Sequence, residues 1–318
     1  MKPFNLLIIP MLAFNMGLVA QLPVSETTRA TRKAVITIDD LPVVWAFGKK
    51  QATEITSKLL ATLKKHHIES VGFVNTGKVF ARRDTTAYLS LLQMWIDNGQ
   101  ELANHSYSHY SLNDVSTETF TEDIRIGETH IKTMMANQNK ALRYFRHPYL
   151  HTGNDSLKKA NVDHYIDSLG YIQAPVTASY YDWLYAGAYF QRFSKSKRKQ
   201  IATAYIDYIN RDLEFNENYS QELFGREIPM ILLFHANSLN ADHFEAVLQV
   251  LHNRGYEIIT LEEALRDPVF EMGNQVLTDE SMTWLQRWAI QKGQKPKPIP
   301  LPEAQIYKWA RMKPESDS

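Results

Sequence analysis

Residues 34–75 read AVITIDDLPVVWAFGKKQATEITSKLLATLKKHHIESVGFVN, and this stretch decides the fold. AVITID at 34–39 is a run of β-branched and apolar residues, the pattern of a buried strand. ATEITSKLLATLKKHH at 52–67 places Ile55, Leu59, Leu60 and Leu63 on one helical face. ESVGFVN at 69–75 is a strand again. A strand, a helix and a second strand make the unit from which parallel sheets covered by helices are built.

The alternation continues outward from there. A helix over 85–99 stops at Gly99 and leads into the strand ELANHS at 101–106. A long helix over 116–137 precedes the strand ALRYFRHPY, and a helix over 155–169 stops at Gly170 before the strand YIQAPV. A charged helical stretch spans about 195–216 and is followed by the strongly apolar strand PMILLFHAN at 229–237. A helix over 242–254 stops at Gly255, YEIIT is a strand, and Thr260 with Glu263 forms a capping box for a last short helix. The count is about seven strands, each followed by a helix. Periodicity does not distinguish a closed barrel from an open doubly wound sheet.

The composition narrows the function. Of 318 residues, 44% are hydrophobic, enough for a substantial core. Lys+Arg and Asp+Glu are both 35, so no basic footprint points to a nucleic acid and no polybasic run points to a membrane surface. The absence of cysteine excludes disulfides, thiolate metal sites and cysteine nucleophiles. Lys2, the apolar run Phe4 to Ala20 and the small residue Ala20 read as a signal peptide over 1–20, with a membrane anchor as the competing reading. This predicts export to a periplasmic or extracellular space, with no stable membrane insertion after cleavage. A linker over 21–32, a catalytic domain over 33–267 and a C-terminal extension over 268–318 follow. The extension holds Pro296, Pro298, Pro300 and Pro302 and a helix near 278–292, and is expected to pack on the main domain.

In parallel α/β folds the reactive groups gather at the C-terminal ends of the strands. Asp39 and Asp40 end the first strand, His105 follows the third, Arg146 the fourth, Asp182 and Trp183 the fifth, in a loop, and His235 ends the sixth. His105 and His109, four apart, would share a face if helical and suit one cation. With a carboxylate they would make a site with an open position, a common catalytic arrangement for zinc, while two unrelated surface histidines are the plain alternative. Asp39 and Asp40 would cap a helix, or divide the work of ligand and base. His235 is either a packed core residue or, oriented by Asp182, a general acid. Tyr180, Tyr181, Trp183, Tyr185 and Tyr189 cluster nearby, and about half of them are expected in the core, the others exposed. The chain lacks G-x-S-x-G, H-E-x-x-H, G-x-x-x-x-G-K-[ST] and G-x-G-x-x-G.

Taken in order, TIDD at 37–40, His105-Ser-Tyr-Ser-His109, Arg146-His147-Pro148-Tyr149, Ser179-Tyr-Tyr-Asp182-Trp183 and Leu233-Phe234-His235 resemble the five motifs of the polysaccharide deacetylase family. This family is also called the NodB homology domain or carbohydrate esterase family 4. The resemblance spans roughly 33–265 and implies a distorted (β/α)7 barrel. It implies Asp39 as general base, Asp40, His105 and His109 as metal ligands, and Arg146 as the residue that holds Asp39. Tyr149 would offer its N–H to the oxyanion, Asp182 would tune the general acid His235, and Trp183 would wall the acetyl pocket. The implied cofactor is a divalent metal, zinc before cobalt, nickel or manganese. The implied partner is an acetylated carbohydrate, chitin-like, peptidoglycan or xylan, through an N- or O-acetyl group; oligomeric state carries no sequence signal. Two departures stand out: Leu41-Pro42 follows the paired aspartates where glycine is usual, and Ser179 replaces the first aspartate of the fourth motif. The alternatives are a hydrolase of a non-sugar amide on the same scaffold and a carbohydrate-binding pseudoenzyme, the latter predicting loss of a base or ligand.

Overall fold

The computed structural model describes residues 32–191 and 193–313. The predicted signal peptide and residues 21–31 of the predicted linker lie outside the described residues. Among those described, eight strands and eleven α-helices follow one another, with short 3₁₀ helices at Pro148–Leu150 and Pro268–Met272. They are β1 (Arg32–Leu41), α1 (Gly48–Lys65), β2 (Val71–Val74), α2 (Thr76–Phe80), α3 (Thr85–Asp97), β3 (Glu101–Asn104), α4 (Thr117–Ala136), β4 (Tyr144–Phe145), α5 (Ser156–Ser168), β5 (Ile172–Gln173) and β6 (Ala178–Ser179). Then come α6 (Asp182–Phe190), α7 (Lys195–Phe224), β7 (Met230–His235), α8 (Ser238–Asn253), β8 (Tyr256–Ile258), α9 (Leu261–Ala264), α10 (Trp284–Gln291) and α11 (Ala304–Ala310).

All ladders are parallel, in the order β5-β4-β3-β2-β1-β7-β6, with β8 beside the first residues of β1. The sheet curls into an incomplete barrel whose open seam lies between β5 and β6. β1 is central and buried on both faces because Ala34, Ile36 and Ile38 face the helices while Val35 packs inward with Phe73, Tyr144 and Ile231. The period of two carries Thr37 and Asp39 onto the inward face behind Val35, so β1 delivers Asp39 to the mouth of the barrel.

Three sequence expectations change. The strand count rises to eight because YIQAPV yields only Ile172–Gln173, and Pro175 separates it from the extra strand Ala178–Ser179. The charged helix continues to Phe224, where Gly225 caps it at φ 69°; no proline or glycine interrupts it earlier. The helix placed near 278–292 starts at Trp284, where the Thr283 hydroxyl and the Gln286 side chain form a capping box, and the seven-residue helix α11 follows the proline-rich stretch. Leu285, Trp288, Ala289, Ile306 and Tyr307 of this C-terminal part join the main core, and Trp284 N–H donates to the Val176 carbonyl at 2.8 Å, across the open seam. No helix among the described residues is long and apolar enough to cross a membrane.

Candidate active site

Asp39 is buried and accepts from Arg146 Nη1 at 2.6 Å. The guanidinium is also buried, donates to the Thr37 hydroxyl at 2.8 Å and lies 4.0 Å over the Phe73 ring. Burial raises the pKa of Asp39, against the lowering charges of Arg146 and His235. Asp40 should point to the opposite face of the strand, but its φ of 64° turns the chain and brings its carboxylate round to the same mouth. Lys78 of α2 stands 2.7 Å from Asp40 Oδ2, a contact that no local sequence pattern announces. Burial opposes ionisation of Asp40, but the charges of Lys78 and the nearby histidines hold its pKa well below the usual carboxylate range.

Oδ1 of Asp40 is buried and makes no hydrogen bond. It lies 3.3 Å from His109 Nε2 and 4.0 Å from His105 Nε2, and one ligand atom from each of the three residues falls within a 4.8 Å cluster. A tetrahedral ion with bonds of about 2.0–2.1 Å separates its ligand atoms by about 3.3 Å, so small side-chain movements close this set on a cation. His105 Nδ1 sits 2.8 Å from the Arg146 carbonyl, which can only accept; Nδ1 therefore carries the proton and Nε2 offers its lone pair. Burial lowers both histidines to about 4, keeping them neutral, the form that ligates. The donor set thus fits a divalent metal.

His105 and His109 come together without a helix between them. Ser106 and His109 take positive φ (61° and 59°), and the five residues form a turn pinned by Asp123, which accepts from the Ser108 N–H at 2.9 Å. The turn can sit this low because α4 carries Gly127 beneath it. A Cβ there would lie 2.7 Å from the Ser106 carbonyl carbon and 2.9 Å from Tyr107 N, backbone atoms that cannot swing aside. Gly127→Ala gains about 1 kcal/mol of helix propensity but overpacks by about 1–3 kcal/mol. The expected outcome is net destabilisation in thermal unfolding with weakened binding of an added divalent cation in calorimetry, because the displaced backbone carries both histidines.

His235, the last residue of β7, holds its Nδ1 2.7 Å from Asp182 Oδ1. Asp182 is not in a loop as expected but opens α6, where burial among α7, α8 and α11 fixes it. Its Oδ2 accepts from His235 N–H (2.7 Å), Asn240 Nδ2 (2.7 Å) and Asn237 Nδ2 (3.2 Å). The two asparagines escaped the sequence reading, although Asn237 follows PMILLFHA at the N-cap of α8. Burial opposes protonation of His235, but the charge and hydrogen bond of Asp182, with Asp40 and Asp39 beyond, raise its pKa to about 9.

A cleft of about 410 Å³ joins these groups. Asp39, Asp40, His105, His109, Tyr149, Trp183 and His235 line it, together with Ser281, Thr283, Gln286 and Ile299 from the C-terminal part. Arg146 and Asp182 stand behind the lining. Tyr149 is 53% exposed, adopts φ 57°, and meets the His109 ring edge-on at 4.5 Å. The aromatic cluster is corrected: Tyr180, Tyr181, Tyr185 and Tyr189 are all buried. Tyr180 and Tyr181 touch the cleft, and Trp183 is its half-buried aromatic wall. Helices α7, α8 and α11 enclose α6, so its tyrosines face helices rather than solvent.

Residues 26–165 match the family model for polysaccharide deacetylase, a stretch that includes Asp39, Asp40, His105, His109, Arg146 and Tyr149. Two solved structures share the fold. The chitin deacetylase of the fungal pathogen Colletotrichum lindemuthianum superposes with a TM-score of 0.52 at 19% identity, over 74% of this chain and 88% of its own. A family 4 carbohydrate esterase pseudoenzyme from Bacillus anthracis superposes with a TM-score of 0.50 at 18% identity, over 75% and 66%. No curated protein matches the chain. Over residues 26–165 the chain is similar to the polysaccharide deacetylase family, and its fold is the distorted barrel shared with these structures.

Proposed function

We propose that the chain is an exported, metal-dependent hydrolase that removes acetyl groups from a carbohydrate polymer or oligosaccharide. The observation that carries this reading is the convergence in one cleft of the Asp40–His105–His109 cluster, Asp39 on Arg146, and His235 on Asp182. A divalent cation held by Asp40, His105 and His109 would polarise an acetyl carbonyl and lower the pKa of the attacking water; this donor set favours zinc, ahead of cobalt, nickel or manganese.

Asp39, ionised beside Arg146, removes a proton from the attacking water. The Tyr149 N–H binds the developing oxyanion, a donor of a kind whose removal typically costs about 2.7–4 kcal/mol. His235, protonated at neutral pH, passes its proton to the departing nitrogen or oxygen. Trp183 walls the space for the acetyl methyl. A carbohydrate substrate is supported by the family's named activity and by the chitin deacetylase that shares the fold. Export is supported by the apolar segment Phe4 to Ala20. The Bacillus anthracis neighbour is a pseudoenzyme, but here the proposed base, acid and all three ligands face one cleft.

The test is acetate release from acetylated chito-oligosaccharides, peptidoglycan and xylan, with zinc and then with chelator. Chelator-sensitive release from one of them is expected and names the glycan. No release from any, with one metal bound per chain, rejects the reaction and leaves a non-sugar amide or a binding role.

A further inference from the structure

Two features of the loop after Pro148 have no cause among the residues of the metal site. Tyr149 and Leu150 both take left-handed backbone, φ 57° each, although neither is a glycine. Such residues persist only where their surroundings hold them. Arg287 of α10 is fully buried, and among the described residues no carboxylate forms an ion pair with it. A guanidinium buried without a counter-charge depends on its hydrogen bonds to offset desolvation.

Those hydrogen bonds converge on this loop. Arg287 donates from Nη2 to the Leu150 carbonyl at 2.7 Å and from Nη1 to the Thr152 hydroxyl at 3.0 Å, while Nε donates to the Met282 carbonyl at 3.2 Å. Six residues earlier, the Ser281 hydroxyl donates to the Tyr149 carbonyl at 2.6 Å. Asn274 Nδ2 adds a bond to the Thr152 hydroxyl at 2.8 Å. The two carbonyls gripped belong to the two left-handed residues. These are the peptide planes that follow Tyr149 and Leu150. The plane that carries the Tyr149 N–H is tied in turn through the Pro148 carbonyl, which accepts from the His151 N–H at 3.1 Å, so holding Leu150 and His151 steadies that N–H and keeps the Tyr149 ring against His109.

We propose that Ser281 and Arg287 are positioning residues, the grip through which the C-terminal segment 274–287 holds the Tyr149–Leu150 backbone in its left-handed form beside Asp40, His105 and His109. Both lie beyond the stretch matched by the family model, so a segment outside that match completes the cleft. The catalytic consequence rests on the deacetylase reading above; the grip itself does not.

Ser281 is exposed, so Ser281→Ala removes the hydroxyl's bonds to the Tyr149 carbonyl and to His151 Nε2 (3.2 Å) without opening the core. Arg287→Lys keeps the charge and loses the fork that reaches two acceptors at once. Both variants are compared with the parent by amide hydrogen exchange, zinc content, thermal unfolding, and kcat and KM for acetate release. Ser281→Ala should speed exchange at residues 149–153 alone, keep its zinc and melt within about 2 °C of the parent. Its kcat should fall on the order of tenfold at unchanged KM, since a donor misplaced by a fraction of an ångström acts mainly in the transition state. Arg287→Lys should move both readouts further. Unchanged exchange in both variants, or faster exchange with parental kcat, overturns the proposal. If the parent releases no acetate from any glycan, the reaction fails separately, and exchange alone decides: local acceleration supports the grip, and none overturns it.

Discussion

Asp39→Asn is expected to lower kcat by about 10²–10⁴-fold, the range for losing a general base, while metal content stays at the parental level. The substitution preserves volume and a hydrogen-bonding oxygen, so Arg146 keeps an acceptor; what disappears is the basic lone pair. It also leaves a fully buried guanidinium without its counter-charge. Removing one partner of such a pair costs about 3–5 kcal/mol, less where an acceptor remains. A lower melting temperature should therefore accompany the loss of turnover. Arg146→Met separates the two effects: it should be similarly unstable but retain partial activity, because the carboxylate survives. Metal analysis carries the sharper decision. Asp39 Oδ2 lies 3.8 Å from His105 Nε2, slightly closer than Asp40 Oδ1 at 4.0 Å. If Asp39→Asn loses its metal and Asp40→Asn does not, the ligand and base assignments exchange. An Asp39→Asn chain with parental kcat removes Asp39 from the chemistry altogether.

What was legible in the sequence follows a physical division. Strand β1 could be read because burial on both faces demands an apolar run, and the two aspartates that break it could only stand at a strand end. PMILLFHAN announced His235 in the same way. The helix ends at Gly99, Gly170 and Gly255 were legible because positive φ there favours glycine. A helical face at His105–His109 was only one option in the sequence, and the turn was not legible there because its shape comes from Asp123 and from the space above Gly127, both distant in sequence. Asp182 looked like a loop residue because α6 owes its place to packing rather than to a strong periodic pattern. Lys78, Asn237, Asn240, Ser281 and Arg287 were missed altogether. Each acts through contacts with residues remote in the chain or in another element, and composition holds no trace of such contacts.

Asp182→Asn should have the second large effect, and its pH dependence separates a tuning role from simple support. In the parent, His235 titrates near pH 9. It is therefore charged and able to donate at neutral pH, and the acid form is lost as pH rises through that value. The alkaline limb of kcat/KM should fall there. In the variant the side-chain oxygen must take the position that accepts three N–H groups, from His235, Asn237 and Asn240. The amide NH₂ then faces His235 Nδ1 and donates to it. That arrangement stabilises the neutral tautomer with its proton on Nε2 and disfavours the imidazolium, so the limb should move toward the ordinary histidine value of about 6.5. At pH 7.5 kcat should fall by about 10²-fold or more, within the range for a lost general acid. Stability changes with the same sign. The raised pKa contributes stability that is complete below the unfolded value of about 6.5 and is lost as pH rises through the folded value. The parent should thus lose melting temperature between about pH 6.5 and 9 more steeply than Asp182→Asn does. A proton NMR titration of His235 provides the direct reading. An unmoved limb alongside a lowered His235 pKa would mean that another group protonates the leaving atom, while an unmoved His235 pKa would mean that Asp182 only anchors the start of α6.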